Sequence, residues 1–380
     1  MRRRPLSLLI ALSIALAIVA AAHGYIAQRF VRDTALPSPY SEWANAAIAL
    51  GAFLLFAQPL GERNIGPRVG RVLGWPAFLW LGACFYLLVG FWTTDLGLLL
   101  AGTDDSIPIE RARAIGVGGT TAALMLLGAW GAVRTPRVKR IEVRIKGWPQ
   151  ALSGYRIVQM SDIHIGSLIR RRFAERLVAR CNALLPDVIA ITGDLVDGSV
   201  HHLADEVAPF GRLRARDGQY FVTGNHDSYS GADPWVRKVE ELGFNVLRNR
   251  RVTLGRDGAH FALAGVNDLS SARLNPPGGH DLAAALDGWT PETPLVLLAH
   301  DPRTFDQAHM RGVHLQLSGH THGGQMWPFS ILVRFQTQYV AGHYRVGESQ
   351  LYVSRGTGFW GPPMRVFAPA EITELRLYPA

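Results

Sequence analysis

YRIVQMSDIH, residues 155–164, and DVIAITGD, residues 187–194, decide the fold: each is a short apolar run that stops at Ser161 or Gly193 and then delivers carboxylates or an imidazole. Apolar runs of four to eight residues bounded by turn signals read as buried strands. The pattern recurs down the chain. QYFV (219–222) leads into Thr223-Gly224-Asn225-His226-Asp227, LVLLA (295–299) into His300, and LQL (315–317) into Ser318-Gly319-His320-Thr321-His322. A further strand is expected at 260–264, followed by Asn267 and Asp268. Helical periodicity is expected at about 169–183, 202–214, 233–242, 280–286 and 303–308. Strands alternating with helices imply an α/β layered fold, and open α/β sheets place their sites at strand C-terminal ends, where these side chains collect.

The side chains are chemically coherent. Asp and Asn offer hard oxygen donors, and neutral imidazole suits borderline metals, so a mixed oxygen and nitrogen set without thiolate points to a hydrolytic centre of Mn, Fe or Zn. Two ions sharing one carboxylate need about three further ligands each. Any one of these motifs alone is an ordinary turn or surface pair; five in order, each behind an apolar strand, are not.

Outward from this region, the first third of the chain has a different composition. Apolar runs at about 6–26, 43–60, 73–92 and 114–133 are each long enough to cross a hydrocarbon core of ~30 Å. The third is the least regular, because Thr93, Thr94 and Asp95 interrupt it before the apolar 96–101. Loop charges alternate. Arg2, Arg3 and Arg4 precede the first run, Arg63, Arg68 and Arg71 follow the second, and Arg134, Arg137, Lys139 and Arg140 follow the fourth. Asp33, Glu42, Asp104, Asp105 and Glu110 fall in the other loops. By the positive-inside rule both termini and the region beyond residue 140 are expected in the cytoplasm of a multi-pass cell-membrane protein. Cleavage near Ala20-Ala21-Ala22 would remove the first run and leave the same side assignment. The expected division is therefore a transmembrane region at 1–135 and a second domain at 141–380.

Charge bears on the partner. The chain carries a net +9, but residues 1–140 hold 14 Lys/Arg against 7 Asp/Glu, and the remainder 25 against 23. The excess belongs to the membrane part, which argues against a nucleic-acid partner. Cys84 and Cys181 show no CxxC spacing, so no disulfide framework or zinc knuckle is implied.

Together Asp162-x-His164, Gly193-Asp194, Gly224-Asn225-His226-Asp227, His300 and Gly319-His320-Thr321-His322 resemble the calcineurin-like metallophosphoesterase superfamily. LSGHTHGGQ (317–325) and VSRGTGFWGPPMR (353–365) resemble more narrowly its YkuE/YaeI-type bacterial phosphodiesterase branch. The resemblance implies a four-layered α/β/β/α sandwich holding two divalent transition-metal ions. By motif position Asp162, His164 and His322 would hold the first, Asp194 would bridge, and Asn225, His300 and His320 would hold the second. His226 would be the general acid, with Asp227 orienting it. Arg303 and the 267–268 segment are candidate substrate contacts, and Gly323 and Gly324 are expected to let the backbone pass close to the metals. The expected reaction is attack of a metal-activated water on a phosphodiester or pyrophosphate, with a lipid-linked compound as one candidate substrate. Nuclease, phosphoprotein phosphatase and non-catalytic membrane scaffold are the alternatives. Oligomeric state is not readable from the sequence.

Overall fold

The computed structural model describes residues 4–102, 106–271 and 278–380. Arg2, Arg3, Asp104 and Asp105, used in the charge pattern, lie outside the described residues. Two compact units emerge, Met1–Ala129 with Gly361–Met364, and Trp130–Trp360 with Arg365–Ala380.

The first unit is built on α1 (Arg4–Ala27), α2 (Tyr40–Asn64), α3 (Pro67–Ala101) and α4 (Ile107–Val133). All four are long and apolar enough to cross a membrane. Leu16, Phe53, Leu99 and Leu126 stay exposed, as expected of helices whose solvent is lipid. The interruption anticipated at Thr93-Thr94-Asp95 does not break α3. The Thr93 hydroxyl donates back to the Val89 carbonyl at 2.9 Å and that of Thr94 to the Gly90 carbonyl at 2.9 Å, so neither is left unsatisfied. Asp95 accepts from Arg29 at 2.8 Å and pairs with Arg113 at 2.7 Å, while Arg113 also meets Glu110 at 3.0 Å. An ionisable group in a span is costly unless paired, and here each charge meets its opposite near the helix ends. The apolar 96–101 is the last part of this same helix. At 35 residues α3 is about 52 Å long, well beyond one hydrocarbon thickness.

The second unit contains, among the described residues, two six-stranded sheets. One runs β1 (Arg137–Ile145), β12 (Glu371–Pro379), β2 (Tyr155–Met160), β3 (Val188–Thr192), β4 (Gln219–Val222), β5 (Asn245–Val246). The other runs β10 (Gly342–Val346), β11 (Ser349–Val353), β9 (Leu315–Ser318), β8 (Leu295–Leu298), β7 (Ala259–Gly265), β6 (Arg250–Arg256). Their inner faces pack Ile157, Val188, Val222, Leu298, Leu317 and Leu375 into one core. Outside the first sheet lie α5 (Arg171–Asn182), α6 (Val200–Val207), α7 (Asn225–Tyr229) and α8 (Ala232–Glu241). The α5 residues Phe173, Ala174, Leu177, Val178 and Cys181 are buried at the spacing of one helical face and join a second core with Ile189 and Phe221. Leu282, Ala285, Phe305 and Ala308, from short helices, cover the outer face of the other sheet. The result is the expected α/β/β/α sandwich.

The six apolar strands appear within a residue or two of expectation. The helix expected at 202–214 ends at Val207 and continues as a 3₁₀ turn, Ala208–Arg212, because Pro209 has no N–H to extend the α ladder. The basic flank is a strand: β1 starts at Arg137 and pairs in parallel with β12, which is antiparallel to β2. Its alternation of exposed and buried residues marks a half-buried edge strand, which a search for continuous apolar runs passes over. Cys84 and Cys181 are buried free thiols.

Leu298 is fully buried between the sheets. Leu298→Ala is expected to destabilise the second unit by about 2–5 kcal/mol. Thermal unfolding of the purified chain would read this as a midpoint lowered by roughly 5–15 °C, and an unchanged midpoint would contradict the inter-sheet core.

Candidate metal centre

The strand ends deliver their side chains through unusual backbone. Asp162, His164, Asp194, His320 and His322 all have positive φ, between 51° and 73°. Non-glycine residues seldom adopt this left-handed region, and each such residue costs of order 1–3 kcal/mol unless its surroundings hold it. The surroundings do. The amide of Asp162 donates to the Gly193 carbonyl at 3.0 Å, and those of Ile163 and His164 donate to the Asp194 carbonyl at 2.9 and 3.1 Å. The Gly224 and Gly319 backbones pass so close that a Cβ would lie 2.1 Å from Asp194 Oδ1 and 2.2 Å from Asp162 Oδ2 respectively. Gly323 and Gly324 carry positive φ of 62° and 79°, and a Cβ on Gly324 would meet the Ser330 backbone at 2.4 Å.

Two groups of donors result. Asp162, His164 and His322 form one, Asp194, His300 and His320 the other, each with its ligand atoms within 4.8 Å of one another. His164 Nε2 and His322 Nε2 are 3.0 Å apart, and His322 Nε2 lies 3.5 Å from Asp162 Oδ1. In the second group His300 Nε2 approaches Asp194 Oδ2 at 3.2 Å. Asn225 Oδ1 lies 3.2 Å from His300 Nε2 and 3.0 Å from His320 Nδ1. Converging nitrogens and oxygens that cannot all satisfy one another are what a cation would resolve, and the absence of thiolate fits Mn, Fe or Zn.

The partners behind the donors fit the same reading. His300 Nδ1 donates to the Thr192 carbonyl at 2.8 Å, and His164 Nδ1 donates to Asp197 at 3.1 Å, so each ring is fixed with its Nε2 facing into the site. Burial, reinforced by the Arg365 charge, holds His322 well below the ordinary histidine value, in the neutral form a metal accepts. Arg365 is itself buried, with Nη2 3.1 Å from His322 Nδ1 and Nε donating to the Gly358 carbonyl at 3.0 Å. Burial opposes ionisation of Asp194, but His300 and His164 outweigh it and hold the carboxyl well below the usual range.

His226 stands at the rim. It too comes within 4.8 Å of His164 and Asp194, and its Nδ1 donates to Asp197 at 2.7 Å. Asp227, expected to orient it, does something else. Its carboxylate accepts the amides of Asp194, Leu195, Val196 and Gly224 at 2.9, 2.9, 3.2 and 2.8 Å, so it shapes the loop carrying Asp194. Asp197, three residues past Asp194 in GDLVD, is the carboxylate behind His226. Burial raises its pKa, but His164 and His226 outweigh burial and bring it down to about 2. Sequence reading passed over it because the nearer Asp227 was already in view; the repeated Asp in GDLVD was the available signal.

Other candidate residues are engaged in local bonds. Arg303 Nε donates to both oxygens of Asp301 at 3.0 Å, which ties it to its own helix start. Asn267 Nδ2 donates to the Gly278 carbonyl at 2.7 Å, and Asp268 accepts the Ser270 amide at 2.8 Å, both as local loop bonds. His201 and His202 are exposed and face each other at 4.8 Å.

Comparison with known proteins gives the family. Residues 155–324 match the family model for calcineurin-like phosphoesterase. A transmembrane protein with metallophosphoesterase domain from Danio rerio is 39% identical over 265 residues, covering 68% of this chain and 61% of that protein. The metallophosphoesterase YkuE of Bacillus subtilis is 34% identical over 240 residues, 60% of this chain and 81% of its own. A metallophosphoesterase of Aquifex aeolicus is 30% identical over 253 residues, 65% of this chain and 95% of its own. The chain belongs to the calcineurin-like metallophosphoesterases, a family of metal-dependent enzymes acting on phosphate esters. It spans 61% of the length of the Danio rerio and Bos taurus relatives.

Asp227→Asn would set an NH₂ against backbone N–H donors. Metal affinity in the purified variant is expected to fall at least about 10-fold, read by titration with Mn²⁺. Unchanged affinity would mean that the Asp227 cradle does not shape the site.

Proposed function

We propose that the chain hydrolyses a phosphodiester or pyrophosphate bond at a centre of two divalent transition-metal ions. The observation that carries this is Asp194, whose Oδ2 stands between the two groups, 3.2 Å from His300 Nε2 and 3.9 Å from His164 Nε2, with His226 beside it. Asp162, His164 and His322 would hold one ion and Asn225, His300 and His320 the other, with Asp194 shared. When bound, such a pair lowers the pKa of water and offsets charge on phosphoryl oxygens.

The chain's own groups then have distinct tasks. Asp197 accepts a hydrogen bond from His226 Nδ1 and fixes the ring, leaving Nε2 to give a proton to the departing oxygen. Trp360 and Tyr229 set ring centroids 5.5 and 5.6 Å from that of His226 and limit how water and substrate approach it. No covalent enzyme intermediate is needed. The near balance of charge beyond residue 140 favours a small or lipid-borne ester over DNA or RNA. The basic flanks at Arg63, Arg68, Arg71 and Arg134 support a cytoplasmic catalytic domain.

Hydrolysis of bis(p-nitrophenyl) phosphate with Mn²⁺ is the test. Turnover is expected in the parent, to be lost in Asp194→Asn and on addition of a chelator. No diester turnover by a protein shown to hold two metals would overturn the reading. His226→Ala should retain both metals while kcat falls by about 10²–10⁴; metal loss in that variant would instead make His226 a ligand. Asp197→Asn should also keep metal at saturating Mn²⁺ while kcat falls by about 10-fold or more, whereas an unaltered kcat would remove Asp197 from the proton path.

A further inference from the structure

The helix Phe329–Arg334, sequence FSILVR, has no buried residue. Ile331 and Leu332 stand exposed on it, Phe335 follows at 84% exposure, and Phe367 nearby is at 78%. In water a short helix with four apolar residues in six would bury a face, and contiguous exposed apolar surface marks an interaction site. This surface also runs to the mouth of the metal centre. The Trp327 and Phe367 rings are 6.2 Å apart. The Trp327 amide donates to the Val366 carbonyl at 3.1 Å, and the Val366 amide donates to the Gln325 carbonyl at 2.9 Å. Gln325 in turn holds the Trp360 backbone through Nε2 to its carbonyl at 2.8 Å and Oε1 from its amide at 3.0 Å. Trp360, itself exposed, faces His226.

The chain supplies the occupant. Residues 134–136 alone separate the apolar helix α4 from β1, a reach of at most about 14 Å. Lipid that solvates the end of α4 therefore lies within that reach of the chain as it enters β1. Two Trp, aliphatic and Phe side chains beside a terminal Arg334 match the composition of segments that lie in the headgroup–acyl boundary. We infer that the surface formed by Trp327, Ile331, Leu332, Phe335, Phe367 and Trp360 is immersed in the lipid interface, and that the metal centre opens beside it to phosphate esters carried on lipids. The immersion stands independently of the proposed reaction; the substrate class rests on it.

The test uses the full chain in phosphatidylethanolamine–phosphatidylglycerol vesicles. A phospholipid with a diazirine on its acyl chain should, on irradiation, label residues 327–335 of the unsubstituted protein and spare the 343–353 hairpin. Fluorophores placed at Phe335→Cys and Phe367→Cys should be quenched by doxyl lipids, and one at the exposed Glu348→Cys by aqueous iodide. Iodide quenching at all three sites without lipid labelling would overturn the inference. So would cross-linking of two copies through Phe335→Cys without lipid quenching, which would put a second copy there. These readouts do not involve turnover, so failure of the hydrolase reading leaves them decisive. For the substrate class, Ile331→Ser/Leu332→Ser/Phe335→Ser should lower turnover of a vesicle-borne diester by about 10-fold while bis(p-nitrophenyl) phosphate stays within about 2-fold. Equal loss of both esters would overturn that part.

Discussion

Two buried carboxylates, Asp162 and Asp194, stand against converging imidazoles at the ends of parallel strands, and much of the second unit serves to keep them there. Buried charge is tolerated only when opposed and hydrogen-bonded. Asp194 meets His300 across 3.2 Å, its carbonyl takes the amides of Ile163 and His164, and its own amide rests on Asp227. The left-handed turns at Asp162, His164, Asp194, His320 and His322 are sustained by these bonds. Strain of this kind persists where structure over-determines it, commonly at functional sites. The close passages at Gly224 and Gly319 belong to the same arrangement, since a side chain at either would collide with a carboxylate.

The membrane unit meets a related constraint by different means. Asp95, which looked like a break in an apolar run, sits between Arg29 and Arg113 and draws three segments together. The threonines before it close their hydroxyls onto their own helix. A polar group in a span that satisfies itself locally or pairs across helices does not end the helix.

Much of the site was legible because strands buried on both faces read as apolar runs, and the donors follow each run directly. Asp162, His164, Asp194, Asn225, His300, His320 and His322 could be named as candidates from local order alone, and the structure brings them together. The edge strands were harder. β1 alternates and is basic, β5 is two residues long, and β12 joins the sheet from the far end of the chain. Their pairing energy comes from neighbours distant in sequence, and no local period encodes that.

The sequence by itself determined the apolar spans, the order of strands and donors, and the donor chemistry, because each depends on residues adjacent along the chain. Only the tertiary structure decided which carboxylate stands behind which group. Asp227 is next to His226 in sequence, yet the turn into α7 aims it at the backbone of the Asp194 loop, while Asp197 arrives from the preceding strand end to accept the hydrogen bond of His226 Nδ1. The structure alone also exposed the apolar face from Trp327 to Phe335, because burial depends on what the rest of the fold leaves uncovered.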